Sequence, residues 1–160
     1  MKISNLQAFP ECIPEIAQWH YAEWHTLYPQ KTLSDFETDL YTSLNKHTIP
    51  QTWVLHDDEE IIGTASLLKH DMKTNTDLSP WLADIFIRVD KRNMGFGKLL
   101  VKRIINEVGK LNVPHFYLFT EDQHVFYEKL GWSLLKKELY EDQQVSIMKY
   151  TFNEKANVKK

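Results

Sequence analysis

The run Arg92-Asn93-Met94-Gly95-Phe96-Gly97-Lys98 sets an arginine, two glycines one residue apart and a lysine between two apolar stretches. Glycines where a strand turns into a helix remove Cβ atoms, so a ligand can reach main-chain N–H groups. At a helix start those groups lack intrahelical partners, and the helix dipole adds partial positive charge. The chemistry suggested is anion binding, with a diphosphate as the natural guest. Arg92 and Lys98 would add full charges at the rim. Two familiar phosphate loops fit badly. A P-loop needs a hydroxyl after its lysine, where Leu99 stands, and a dinucleotide fingerprint needs a third glycine, where Leu100 stands. On the glycines alone, a purely structural turn fits as well.

Other chemistry-bearing clusters are weaker. His20 and His25 lie in "HYAEWH", but the order is not that of a zinc helix, and residues five apart on a helix diverge by about 140°. Asp57 to Glu60 are four consecutive acidic residues, read as a solvated hairpin tip because metal sites draw ligands from several elements. No metal is expected. Cys12 is the single cysteine; it excludes an internal disulfide and has no identifiable activating partner.

The elements that would hold these residues follow from periodicity and punctuation. Lys2 to Phe9 reads as a strand. Pro14 opens a helix with Ile13, Ile16, Ala17, His20 and Trp24 at helical spacing, and Ser34 with Glu37 forms a capping box for a second helix burying Phe36, Leu40 and Leu44. "TWVLHDDEEIIGTASLLKH" is a hairpin, and "WLADIFIRV" is apolar enough for a central strand. The helix after the glycines buries Phe96, Leu99, Leu100, Ile104, Val108 and Leu111. "HFYLFT" is a buried strand, Asp122 caps a brief helix that Gly131 ends, and "WSLLKKELY" with "QVSIMKYTF" makes a closing hairpin. The order β-α-α-β-β-β-α-β-α-β-β implies a mixed α/β domain, a sheet flanked by helices, with its strand–helix–strand crossover over residues 82 to 120.

Bulk properties agree with one such domain over 1–152, followed by a frayed basic tail over 153–160. The chain has 160 residues, 42% of them hydrophobic and 12% aromatic, which argues against disorder. A net charge of −3 without a basic stripe argues against nucleic acid as a partner. The N-terminus lacks a signal-peptide core and no stretch reaches membrane-span length, so a cytoplasmic protein with no membrane partner is expected.

Arg92 to Gly97 also matches R/Q-x-x-G-x-G/A, and "FYEKLGW" (Phe126 to Trp132) matches a closing F-Y-x-x-L-G-F/W/Y. In both, and in element order across residues 3 to 152, the sequence resembles the GNAT N-acetyltransferases, whose sheet is mixed and mostly antiparallel. One departure is Val89, where that family usually has proline. The resemblance implies acetyl-CoA as acetyl donor, with its pantetheine arm along Ile85, Phe86 and Ile87 and its pyrophosphate on the backbone from Arg92 through Asn93, Met94, Gly95, Phe96 and Gly97 to Lys98. It implies direct attack of a primary amine on the thioester in a ternary complex. An N–H of the Ile85–Ile87 strand would stabilise the oxyanion, and Tyr127 would be the general acid. The family's usual glutamate position holds Trp81, so Asp84 is the candidate base, ahead of Glu23, Glu121 and His124. Trp19, Trp24 and Tyr28 would wall the acceptor cleft or pack in the core. The acceptor is a small-molecule amine or a peptide or protein N-terminus, and the protein is a monomer or homodimer. The alternative is a non-catalytic acyl-CoA-binding or sensing domain on the same fold.

Overall fold

The computed structural model describes residues 1–58 and 60–153. The tail from 154 onward, and Glu59 at the acidic tip, lie outside the described residues. Strands β1 (Lys2–Asn5), β2 (Gln51–His56), β3 (Ile61–Leu68), β4 (Trp81–Ile87), β5 (His115–Thr120), β6 (Ser133–Tyr140) and β7 (Gln143–Thr151) form one sheet, in the order β1-β2-β3-β4-β5-β7-β6. Only β4 and β5 pair in parallel, because α3 (Phe96–Gly109) crosses between them. Helices α1 (Ile13–Trp24) and α2 (Leu33–Thr42) precede β2, and the short α4 (His124–Glu128) follows β5. The element order is the one the sequence implies.

Each helix is placed by its apolar stripe. Leu100, Val101, Ile104 and Val108 of α3 are fully buried against a sheet face carrying Leu55, Ile62 and Leu82. Ile13, Ile16 and Ala17 of α1, with Phe36 and Leu40 of α2, cover Val54 and Ile61 on another face. Trp81, Tyr117 and Ile147 form a third cluster near the β4–β5 junction. No described helix is long and apolar enough to cross a membrane.

Several local expectations are corrected. The first strand ends at Asn5, whose side chain accepts from the Gln7 amide and starts a 3-10 turn over Leu6–Ala8. The α2 capping box is Thr32 with Asp35, two residues earlier than Ser34 with Glu37: the Asp35 amide donates to Thr32 Oγ1 at 3.1 Å, and the Thr32 amide to Asp35 Oδ2 at 2.8 Å. Leu99 and Leu111 are 47% and 43% exposed, because the buried stripe of α3 runs through Val101 instead. Gln123, not Asp122, precedes α4, and its amide is taken by Thr120 Oγ1. Gly131 does adopt the left-handed conformation, with φ of 99°.

Candidate active site

The site begins with a failure of strand pairing. β4 and β5 share one registered pair, Trp81 with Tyr117, before they part. On its other edge β4 stays paired with β3 as far as Ile87. The Arg88 amide donates to Ile62 O, on the β3 side, so alternation turns the Ile85 and Ile87 peptide groups to the unpaired edge. Arg92 Nε already donates to Ile87 O at 2.8 Å. The remaining Ile85 groups and the Ile87 amide face a cavity of about 590 Å³ between the diverging strands. Ile85, Phe86 and Ile87 line it, with Leu118 and Phe119 of β5 opposite.

At one end of this cavity is the glycine turn. Arg88 ties the end of β4 down through Glu60 (2.8 Å), Asp90 (2.6 Å) and Ile61 O. Asn93 and Gly95 then take left-handed backbones, with φ of 63° and 83°. An added Cβ on Gly95 would meet nothing within 4 Å, so this glycine serves backbone geometry and leaves open space above the turn. Among the described residues the amides of Asn93, Met94 and Gly95 have no backbone acceptor. Those of Phe96, Gly97 and Lys98 are the partnerless first turn of α3, and Gly95 supplies no side-chain cap. The result is a row of N–H donors at a helix N-terminus, a cradle fitted to a diphosphate. Lys91 and Lys98 border it.

Arg92 lines the cavity beside the turn and is also tied to α1. Its guanidinium donates to Glu23 Oε1 at 3.1 Å and lies 5.2 Å from the centre of the Phe86 ring. It therefore joins the turn to α1, and much of its charge is matched by Glu23. Met94 projects outward at 62% exposure and does not line the cavity, so only its amide can serve a ligand there.

Back along β4 from the turn stands Asp84, and Tyr127 and a set of carboxylates line the same cavity. Tyr127 is 8% exposed and lines the cavity. Burial pushes its phenol well above the usual tyrosine range, which keeps the proton on at neutral pH. Asp84 sits in a bulge of β4 with a left-handed φ of 55°. The Thr64 hydroxyl donates to Asp84 O at 2.9 Å, and His20 Nε2 contacts the same hydroxyl oxygen at 2.9 Å. The hydroxyl hydrogen being spent on Asp84, His20 carries its own on Nε2 and donates. Burial holds His20 below its ordinary value, consistent with a neutral ring. Asp71, from the loop between β3 and β4, lines the cavity with Asp84, and burial plus the Asp84 charge push its carboxyl well above the ordinary range. Glu121 is raised by burial and by Asp122 and Glu23.

Trp24, Leu27 and Tyr28 wall the cavity from α1 and the turn after it, whereas Trp19 stacks on Phe86 at 5.5 Å and packs as core. Trp81 is fully buried and donates its Nε1–H to Leu78 O. His124 is outside the cavity lining. Cys12 also lies elsewhere, its thiol raised by burial, Glu11 and Glu15. The two histidines of "HYAEWH" diverge: His20 points into the core, and exposed His25 bonds Tyr21 O. Sequence reasoning missed Asp71 and the Thr64–His20 support of Asp84. Asp71 sits in the irregular segment "DMKTNTDLSP", where no periodicity marks a residue as inward.

The comparisons with known proteins fit this geometry. The family model described as "Acetyltransferase (GNAT) domain" matches residues 49–134, from β2 through the end of α4 and into β6. The chain belongs to the GNAT acetyltransferase family. It is therefore an acyltransferase of the acetyl-CoA-dependent kind. No curated protein matches it in sequence. Among solved structures, an aminoglycoside 6'-N-acetyltransferase complexed with coenzyme A superposes with a TM-score of 0.75 at 16% identity, over 94% of this chain and 97% of its own. A ribosomal-protein-alanine N-acetyltransferase from Brucella melitensis gives 0.74 at 15% identity, over 95% and 100%. The aminoglycoside 6'-N-acetyltransferase from Enterococcus faecium gives 0.72 at 16%, over 94% and 97%. Identities this low establish a common GNAT fold.

Proposed function

We propose that this GNAT protein transfers the acetyl group of acetyl-CoA to a primary amine by direct attack in a ternary complex. One arrangement supports the reading above the others. The unpaired edge of β4, a cradle of free amides at Asn93 to Lys98, a buried phenol and an aspartate all line one cavity. Acetyl-CoA supplies the activated acetyl thioester. Its pyrophosphate is held by the Asn93–Lys98 amides with Lys98, and its pantetheine arm pairs with the Ile85 and Ile87 peptide groups as an added strand.

The chain's own groups then divide the labour. Asp84, directly or through water, takes the proton that the amine sheds as the new C–N bond forms. An N–H on the free edge of β4 donates to the negative charge developing on the acetyl oxygen. Tyr127, kept protonated by its burial, gives its proton to the sulfur as the C–S bond breaks. Apolar walls from Leu118, Phe119 and Phe126 keep water from competing with the amine. The acceptor is a small amine or a peptide N-terminus, in keeping with the neighbours named for aminoglycosides and for ribosomal-protein alanine.

Tyr127→Phe tests the assignment. Calorimetry should find acetyl-CoA affinity within about twofold of wild type, while kcat for thiol release falls by about a hundredfold or more, the lower range for a lost proton donor. Unchanged kcat would remove Tyr127 from the chemistry.

A further inference from the structure

The cavity does not stop at the reacting groups. A second cavity of about 420 Å³, between α1, α2 and the β2–β3 hairpin, shares Trp24, Tyr28, Asp71 and Asp84 with the first. An elongated acceptor whose reacting end sits near Tyr127 would therefore extend past Asp71 into this second space. The carboxylates there outnumber the cations: Asp39, Asp71 and Asp84 line the second space with Lys31 and Lys69, and Glu121 and Asp122 line the first. Glu23 is matched by Arg92. Lys31, the cation that acts on Asp71, is engaged in an ion pair by Asp39. Lys69 and His70 border only the second cavity, and Lys91 and Lys98 flank the anion cradle. No ion pair or side-chain hydrogen bond engages Asp71, Asp84, Glu121 or Asp122 among the described residues.

Asp71 and Asp84 line one cavity, and carboxylates without ion-pair partners draw cations to it. A monoamine cannot answer both. Its nitrogen must be neutral to attack, so it brings no positive charge to the reacting position. Asp71 still lacks a partner. The indole of Trp24 borders both cavities, and Lys31 Nζ lies 5.1 Å from the centre of the Tyr28 ring, so this part of the site already holds one ammonium over an aromatic face.

We infer that the acceptor is a diamine or polyamine whose reacting nitrogen lies in the cavity of Asp84 and Tyr127 and whose second ammonium is bound by Asp71 on the Trp24 side of the junction between the two cavities. This rests on the acetyl-transfer reading above and specifies its substrate class. Asp71 is here a specificity residue and touches the nitrogen that does not react.

Putrescine and butylamine test it, since they share a four-carbon chain and differ by one ammonium. Free-thiol release should give putrescine a kcat/KM about tenfold or more above butylamine, the factor expected for one charge-assisted contact. In Asp71→Asn the ratio of the two kcat/KM values should fall towards one, through a higher KM for putrescine. Asp71→Glu should keep the preference, and thermal scans confirm that both variants fold. Equal kcat/KM for the two amines, or a preference that survives Asp71→Asn, overturns the inference. Acetylation of a peptide with an uncharged N-terminal segment while putrescine is ignored overturns it too, yet leaves acetyl transfer standing. No thiol release with any primary amine overturns both.

Discussion

Gly95 and Gly97 sit one residue apart and do different jobs, which substitution can separate. At Gly95 the backbone is left-handed, so alanine there is strained by about 1–2 kcal/mol, and its Cβ enters the open space above the amide row. Gly97 lies inside α3, and a Cβ there meets only Phe126 Cζ, at an ordinary 3.5 Å. Gly95→Ala should therefore lower both Tm and acetyl-CoA affinity. Gly97→Ala should leave Tm unchanged or raise it by up to a few degrees, because alanine is the better helix residue. Equal losses in thermal scans of the two variants would refute the distinction. Thr64 offers a second residue-scale test. Thr64→Val keeps the shape but strips a buried N–H of His20 and the carbonyl of Asp84 of their shared partner, which should cost about 1–3 kcal/mol. Because the same contact holds Asp84 in its bulge, kcat should fall while the KM for acetyl-CoA stays put in steady-state kinetics. At this scale the glycine turn and Tyr127 were legible in the sequence, since local motifs carry them. The fixing of Asp84 by His20 and Thr64 joins residues 44 and 20 positions apart in the chain, and no local pattern reveals such a contact.

At the scale of elements, periodicity found each described strand and α-helix but misjudged where several begin. The reason is chemical rather than statistical. Thr32 and Ser34 are both good N-caps, and each has an acidic residue three positions on; the sequence does not say which hydroxyl is taken, and the structure takes the first. Thr32→Ala should destabilise the protein by about 1 kcal/mol, a Tm loss of roughly 2–4 °C, whereas Ser34→Ala should be close to neutral. Thermal unfolding of the pair decides it. The divergence of β4 from β5 was not legible as geometry at all. Both strands read as buried apolar runs, and an apolar run cannot show whether its far edge meets another strand or a cavity. Only the resemblance in motifs placed a ligand along that edge. The bulge at Asp84, which turns an aspartate out of an otherwise apolar strand, is equally silent in sequence.

For the whole molecule, the acidic lining of the cavity implies a conflict between stability and function that pH exposes. The carboxyl of Asp71 is raised above its unfolded value, so the folded state binds its proton more tightly than the unfolded chain does. Its contribution is therefore fully present below the ordinary aspartate value. It is lost as pH climbs from there through the raised value, after which the folded state carries an ill-matched charge. Asp71→Asn removes that loss. The variant should melt at a higher temperature than wild type at neutral pH, with the gap closing as the pH is lowered towards the unfolded value. Tyr127 adds a similar loss at the alkaline end, opening near the ordinary phenol value, and Tyr127→Phe should abolish it. A substitution at Asp71 that stabilises the fold would mark the carboxylate as retained for what it binds, because a residue kept only for folding should weaken the protein when neutralised. Scanning calorimetry across this pH range reads the sign directly. If Asp71→Asn melts lower than wild type at neutral pH, the carboxylate has a structural partner and the cavity is not short of positive charge.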